Sequence, residues 1–174
     1  CYFGSALKQE GIEAFLQGLE AYMESPVYPN VFGARVYKIS RDPAGNRLTH
    51  MKITGGSLKV KEALSAEETN EEQKKEKVNQ IRIYSGEKYE LVQEAEAGTV
   101  CAVTGLTFTR PGMTLGEEKD VSAPMLEPVL SYRVQYPREV DAHTMLGYLK
   151  QLEEEDPMLR IVWKEENGEI GVQL

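Results

Sequence analysis

The sequence predicts a mostly β fold, in which a barrel or sandwich of short strands is followed by a smaller α+β unit. Between residues 31 and 106, short apolar and β-branched runs alternate with turn residues, as they do in all-β domains. After residue 129, strand-like alternation is joined by one stretch with helical spacing. The chain has 174 residues, 41% of them hydrophobic, which is enough to bury a core and excludes disorder throughout.

An amphipathic helix is the first predicted element, over residues 11–24. Its apolar residues recur three and four positions apart and therefore share one face. The residues of this face are Ile12, Phe15, Leu16, Leu19, Tyr22 and Met23. The Ser25-Pro26 pair ends the helix, because a residue before proline disfavours helical geometry. A single helix of this length is marginal in water, so we expect it to pack against sequence that precedes Cys1.

The barrel is predicted over residues 26–125. Its strands are the segments VFGARVYKI, RLTHMKIT, SLKVKEAL, VNQIRIY, YELV and TVCAVTGL. Explicit turn residues separate them, among them DPAGN at 42–46, the Gly55-Gly56 pair and the Ser85-Gly86 pair. The charged segment 65–77 interrupts this pattern and is predicted to be a solvated loop or a short charged helix.

A smaller unit is predicted over residues 126–174, with the order strand, helix, strand, strand. LSYRVQY alternates as a half-buried strand, Asp141 begins the helix, Asp156-Pro157 ends it, and Asn167-Gly168 predicts a hairpin turn. A complete ferredoxin-like module has this order of elements followed by another helix and strand. We therefore predict an incomplete ferredoxin-like β-α-β-β unit whose uncovered sheet favours self-association.

Positive charge is concentrated in one part of an otherwise acidic chain. The formal net charge is −8, which argues against broad nucleic-acid binding. Residues 35–61, however, contain seven basic residues and one acidic residue, Asp42. Such a local excess is typical of contact with a polyanion. The alternative is that the basic residues occupy the solvent-facing positions of strands.

Motifs for catalysis are scarce in this sequence. It contains neither a phosphate-binding G-x-x-x-x-G-K-[ST] loop nor a guanine-reading N-K-x-D motif, so we expect the chain alone neither to bind nor to hydrolyse a nucleoside triphosphate. No catalytic residue and no cofactor are predicted. His50 and His143 have no second His or Cys at ligand spacing, so no metal site is predicted either.

The chain is expected to be a cytoplasmic protein without a membrane segment. No apolar run approaches the ~20 residues of a membrane helix, and no secretion signal follows Cys1. Two cysteines are too few for a disulfide framework, and Cys101 lies in the apolar run TVCAV, where a small buried residue is expected. Because the first residue is not methionine, we expect a piece of a longer chain.

Several segments resemble translational GTPases. GSALKQEGIEAFLQGL at 4–19 resembles the guanine-contacting S-A-[KL] element and last helix of their nucleotide domain, and residues 32–64 resemble the opening strands of the barrel that follows. PMLEPVLSYRVQYP and residues 149–170 are similar to the first part of the third domain of elongation factor G and of tetracycline-resistance ribosomal protection proteins. The L-x-x-L-x-E-E-D-P match at 149–157 is the most specific of these.

The resemblance implies three segments and a function. Residues 1–25 would be the C-terminal helix of a GTPase domain, 26–125 the domain II barrel and 126–174 a partial third domain. The parent would hydrolyse GTP with magnesium and bind the ribosome, with the barrel on small-subunit RNA. The ending EIGVQL favours the ribosomal protection branch. The alternatives are an elongation factor G-type translocase and a protein–protein interaction module without RNA contact.

Two groups of site residues follow. Ser5, Ala6 and Leu7 match the S-A-[KL] element, which implies that they contact the guanine base, mainly through backbone amides, within a full GTPase domain. For RNA-backbone contact, charge and proximity to loop tips indicate four residues. These are Arg41, Arg47, Lys59 and Lys61.

Overall fold

The computed structural model describes residues 1–24, 26–65, 75–119, 129–137, 139–156, 158–166 and 168–173. Over these residues the chain forms two helices and thirteen strands. In chain order they are α1 (Ile12–Tyr22), β1 (Gly33–Arg41), β2 (Arg47–Gly55), β3 (Ser57–Lys59), β4 (Ala63–Ser65), β5 (Lys75–Lys77), β6 (Gln80–Ser85), β7 (Lys88–Val92), β8 (Glu94–Glu96), β9 (Val100–Thr104), β10 (Thr114–Gly116), β11 (Ser131–Arg133), α2 (Ala142–Glu155), β12 (Arg160–Lys164) and β13 (Glu169–Gln173).

The barrel is built on a six-stranded antiparallel sheet of order β10-β1-β2-β9-β6-β7. Two short antiparallel ladders, β3–β8 and β4–β5, complete it. Inward-facing residues of most of these strands form one apolar cluster. Its largest fully buried side chains include Ile39, Met51, Ile53, Leu58 and Ile81. The predicted mostly β fold is therefore confirmed.

The second unit places α2 against an antiparallel sheet of order β11-β13-β12. Since β13 pairs antiparallel with both neighbours, β11 and β12 run parallel, as in a split β-α-β arrangement. Asp141 caps α2 by accepting hydrogen bonds from the amides of His143 and Thr144, each at 3.0 Å, as its position in the sequence predicts. Ile161 and Ile170 are buried in this unit.

Helix α1 leaves most of its apolar face uncovered within the described residues. Tyr2 packs over the helix, with its ring 5.9 Å from Phe15 in an edge-on arrangement. A Cβ at Gly18 would collide with the Tyr2 ring, which explains the small residue there. Leu16, Tyr22 and other residues of the face remain exposed. Neither helix of the described chain has the length and apolarity that a membrane crossing requires.

The structure corrects several local predictions. SLKVKEAL is not one strand: β3 and β4 are separated because Lys61 has a φ of 71°, and its amide donates to the carbonyl of Val78 (2.7 Å). Residues 75–77 of the charged segment form β5 rather than a loop or helix, and residues 66–74 lie outside the described residues. The strand predicted in LSYRVQY is only three residues long, and Leu130 and Tyr132 are exposed.

The β1–β2 turn is organised by the Asp42 carboxylate. Its Oδ1 accepts hydrogen bonds from the amides of Ala44 (3.0 Å) and Asn46 (2.9 Å). Its Oδ2 accepts from the Asn46 side chain and from Arg82, both at 3.0 Å, so that the turn is tied to β6. The Asn46 side chain and amide, assisted by Arg82 and Ala44, lower the pKa of Asp42 to about 2.

This pKa predicts how the stability of the fold depends on pH. Because the folded pKa lies below the ordinary value, the carboxylate stabilises the native state above the ordinary pKa, and this contribution is lost as pH falls towards about 2. Asp42→Asn should therefore lower the free energy of unfolding at pH 7, with a difference from wild type that shrinks between about pH 4 and pH 2. Urea titrations across this range measure it.

Asn46→Ala provides the matched variant, because it removes the group that lowers the Asp42 pKa most. The Asp42 carboxyl carbon, followed by NMR, should then titrate at a higher pH than in wild type. An unchanged titration midpoint of Asp42 would contradict the conclusion that Asn46 lowers its pKa.

Candidate nucleic-acid interface

Arg41 and Arg47 face each other at the turn end of the β1–β2 hairpin. Both approach the same carboxylate oxygen on α2: Oε2 of Glu154 lies 2.9 Å from an Nη of Arg41 and 3.2 Å from Nε of Arg47. The two predicted RNA contacts therefore join the barrel to the second unit. Their partner lies more than a hundred positions away in the sequence.

The Arg47 guanidinium is held by four further hydrogen bonds. One Nη donates to the carbonyl of Leu106 (2.8 Å) and to the hydroxyls of Thr109 (2.9 Å) and Thr49 (3.3 Å), and the other donates to the carbonyl of Thr109 (2.6 Å). The two threonine hydroxyls are 2.7 Å apart and bond each other. Because these bonds reach Leu106 and Thr109, Arg47 stabilises the loop after β9, and its side chain is only 12% exposed.

Lys59 and Lys61 follow the other end of β2 and are more accessible. The Lys59 side chain is 63% exposed, with its Nζ 3.6 Å from Oε1 of Glu94. Its amide donates to Oε2 of Glu62 (2.8 Å), which fixes the turn between β3 and β4. Lys61 is exposed and forms no ion pair with any described residue. Lysines of this kind are available to a phosphate backbone.

The four predicted RNA contacts thus form two pairs rather than one group. Nine residues of β2, about 3.3 Å each, separate the ends from which the two pairs come. Arg41 and Arg47 share an acidic partner, whereas Lys59 and Lys61 project into solvent. Contact of these residues with RNA stays a prediction.

The Ser5, Ala6 and Leu7 element lies in a tight turn ahead of α1. The amide and carbonyl of Ser5 pair with those of Glu10, at 3.0 and 3.2 Å, and Gln9 donates to the carbonyl of Ala6. Within the described chain, the amides of Ala6 and Leu7 donate to no backbone acceptor. The Leu7 side chain is exposed. The turn therefore leaves two amides without a backbone acceptor in the described chain, and backbone amides are the groups through which this element is expected to contact a base.

An aromatic row, formed by Tyr37, His50, Tyr84 and Tyr89, crosses the outer face of the large sheet. Successive ring centroids are 6.1, 6.1 and 5.3 Å apart. Arg82 lies over the Tyr89 ring at 4.6 Å, a cation–π distance. Sequence reasoning missed this row, because its members come from two hairpins, β1–β2 and β6–β7, which are distant in the chain and are joined in the sheet only through β9.

His50 is the polar member of the aromatic row. Its Nε2 is 2.7 Å from the Ser40 hydroxyl. Burial, and then the charge of Lys38, which lies opposite it in register, lower the pKa of His50. The lowered pKa favours the neutral form of the ring, and Arg82 is a charged group that lies over one end of the row. Such a surface suits stacking or apolar contact.

The remaining candidate groups show no catalytic arrangement. Cys101 is buried, as predicted, and burial raises the pKa of its thiol to about 12, so that it is not a nucleophile at neutral pH. His143 packs against Trp163, with ring centroids 5.5 Å apart. Over the described ranges, no group of three or more His, Cys, Asp or Glu side chains is arranged to hold a metal ion.

Comparison with known proteins gives consistent matches. Residues 31–118 match the family model described as elongation factor G domain 2. The chain is 30% identical to elongation factor G 1 of Bdellovibrio bacteriovorus over 97% of this chain and 27% of that protein. It is 28% identical to elongation factor G of Amoebophilus asiaticus over 95% of this chain and 26% of that protein.

A solved protein of Thermus thermophilus shares the fold. The TM-score is 0.70 at 23% sequence identity, and the match covers 98% of this chain and 26% of that chain. The present chain therefore spans about a quarter of the length of the curated relatives it matches.

The hydrogen bonds of Arg47 predict a structural role that a lysine cannot fill. Arg47→Lys should lower the free energy of unfolding by about 2 kcal/mol, because one ammonium cannot reach the carbonyls of Leu106 and Thr109 together with the threonine hydroxyls. Urea denaturation measures this loss. The matched control is Arg133→Lys, which alters an exposed ion pair and should cost less than about 0.5 kcal/mol. Equal effects of the two substitutions would contradict the structural role.

Proposed function

Because the chain belongs to the elongation factor G family of translational GTPases, we propose that it is the ribosome-binding part of a GTP-dependent translation factor. The observation that carries this proposal is the match of residues 31–118, which contain β1–β10, to elongation factor G domain 2. In the proposal, the barrel contacts small-subunit ribosomal RNA and the unit carrying α2 transmits the nucleotide state of the parent. The protein acts in the cytoplasm.

The exposed lysines support an RNA contact by the barrel. Lys59 is the last residue of β3 and Lys61 lies in the break between β3 and β4, and both side chains reach solvent. Phosphate contacts of this type position a protein on RNA without reading its sequence. We assign the first contact to these two residues, because Arg41 and Arg47 are engaged by Glu154.

GTP and magnesium belong to the parent in this proposal. The free amides of Ala6 and Leu7 fit contact with a guanine base, with Ser5 holding the turn. The sequence carries no phosphate-binding loop, so the chain alone is proposed to be non-catalytic. The exposed Leu130 and Tyr132 are proposed as the surface through which the second unit self-associates.

The branch of the family is a finer proposal. The ending EIGVQL supports a ribosomal protection type, which would dislodge tetracycline from the ribosome, whereas relatives named elongation factor G support a translocase at least as well. Expression of the full reading frame that encodes this chain should raise the tetracycline concentration that inhibits growth if the parent is the protection type. An unchanged inhibitory concentration, with rescue of an elongation factor G-depleted strain, would contradict that branch and assign a translocase.

A protein–protein interaction module is the second candidate, and the aromatic row favours it. Tyr37, Tyr84 and Tyr89 are each between one third and one half exposed, and Leu91 beside them is more exposed still. Tyrosine is enriched at the energetically dominant positions of protein interfaces. This candidate requires no RNA contact and leaves the lysines merely solvated.

Charge reversal of the exposed lysines tests the proposal. Lys59→Glu combined with Lys61→Glu should weaken sedimentation of the chain with small ribosomal subunits by about tenfold or more, because two phosphate contacts become repulsive. The affinity of wild type should also fall as salt rises from about 50 to about 200 mM, and the double variant should show a shallower dependence.

The matched control carries the same change of net charge elsewhere. Lys88→Glu combined with Lys164→Glu alters lysines on β7 and β12 and should change the affinity less than twofold. If both double variants weaken binding to small ribosomal subunits equally, the loss is due to net charge and not to a contact made by Lys59 and Lys61. Binding that resists both salt and reversal would favour the interaction module.

A further inference from the structure

Two guanidinium groups from the barrel converge on a single carboxylate oxygen. Arg41 and Arg47 both lie within 3.2 Å of Oε2 of Glu154, at the last turn of α2. Asp42 is the nearest other acidic group in the sequence, and it is committed to Arg82. Glu154 thus occupies a site that two cations of the barrel define.

This two-arginine site is preorganised for an anion. The Nη atoms of Arg47 are bound to Leu106 and Thr109, so its Nε is fixed in direction towards Glu154. Arg41 uses one Nη for Glu154, and its Nε is buried without a hydrogen-bond partner among the described residues. A buried donor left unpaired is costly, and the carboxylate does not satisfy it.

Glu154 can leave this site without unfolding α2. Its side chain is 44% exposed, and an ion pair with one accessible partner is weak. The end of the helix is held independently by Glu153, which pairs with Lys150 (2.6 Å) and accepts from the amide of Ile161 (2.7 Å). Release of Glu154 therefore breaks the ion pairs that link the end of α2 to the barrel hairpin, while the second unit keeps the contacts of Glu153.

We propose that Glu154 is an internal competitor for an RNA phosphate at the Arg41–Arg47 site, so that RNA binding by the barrel releases the end of α2. An RNA phosphodiester carries its negative charge on two non-bridging oxygens, as a carboxylate does, and can accept charge-assisted hydrogen bonds from the two N–H groups now directed at Glu154. This inference rests on the proposed RNA contact and adds its regulation: the site is closed until RNA displaces the glutamate.

Removal of the competitor tests the inference on the full chain. Glu154→Gln should tighten binding of a fluorescein-labelled oligouridylate of about 20 nucleotides roughly threefold to tenfold, as measured by fluorescence anisotropy, because no carboxylate then opposes the phosphate. Glu155→Gln is the matched control, since it removes the same charge from an adjacent exposed position and should change affinity less than twofold. Arg41→Gln in the Glu154→Gln background should abolish the gain.

A spectroscopic measurement follows the displacement directly. Oligouridylate added to wild type should shift the Arg47 Nε–H signal and the backbone amide signal of Glu154 together, with one midpoint. In Glu154→Gln, the Arg47 signal should differ before RNA is added. If oligouridylate shifts only the signals of Lys59 and Lys61, the proposed competition between Glu154 and phosphate is wrong.

The outcomes separate this inference from the function on which it rests. If wild type sediments with small ribosomal subunits but Glu154→Gln and Glu155→Gln bind oligouridylate equally, the competition is wrong and the ribosome contact stands. If wild type and all variants bind neither probe, the ribosome contact is wrong as well.

Discussion

The guanidinium of Arg47 is the interaction on which the arrangement of this chain depends. Arg47 is the first residue of β2, and its Nη atoms donate to Leu106 and Thr109 in the loop after β9 while its Nε donates to Glu154 on α2. Three parts of the chain that are distant in sequence therefore meet at one side chain. Because a planar cation with five donors satisfies carbonyl, hydroxyl and carboxylate partners at once, no other residue type fits this position.

Pairing over long sequence distances also explains why counting charges overstated the basic surface. Residues 35–61 carry a large positive excess, yet the structure supplies acidic partners from elsewhere. Glu118 lies 2.5 Å from Arg35, and Glu154 meets Arg41 and Arg47. Only the tertiary structure brings these carboxylates close to the arginines. Lysines beyond their reach, such as Lys61, are the residues for which the charge argument remains intact.

Local signals made much of the fold predictable, and non-local ones account for what was missed. The turn at 42–46 and the cap at Asp141 were readable because each depends on residues within four positions. The break at Lys61 was not predictable, because this lysine with a positive φ donates its amide to the carbonyl of Val78, which lies between β5 and β6. The aromatic row escaped for the same reason: its rings become neighbours only through the sheet order β1-β2-β9-β6-β7.

The contact between barrel and second unit differs from the cores on either side of it. The barrel core is apolar and closed, and Ile161 and Ile170 are buried in the second unit, whereas the connection through Glu154 consists of ion pairs with partial access to water, worth about 1 kcal/mol or less each. Apolar cores resist gradual deformation, so a change at their boundary moves each unit as a body. A weak polar contact between two rigid bodies can be broken by an anion of modest affinity. The same contact is therefore suited to report, on α2, what the barrel has bound.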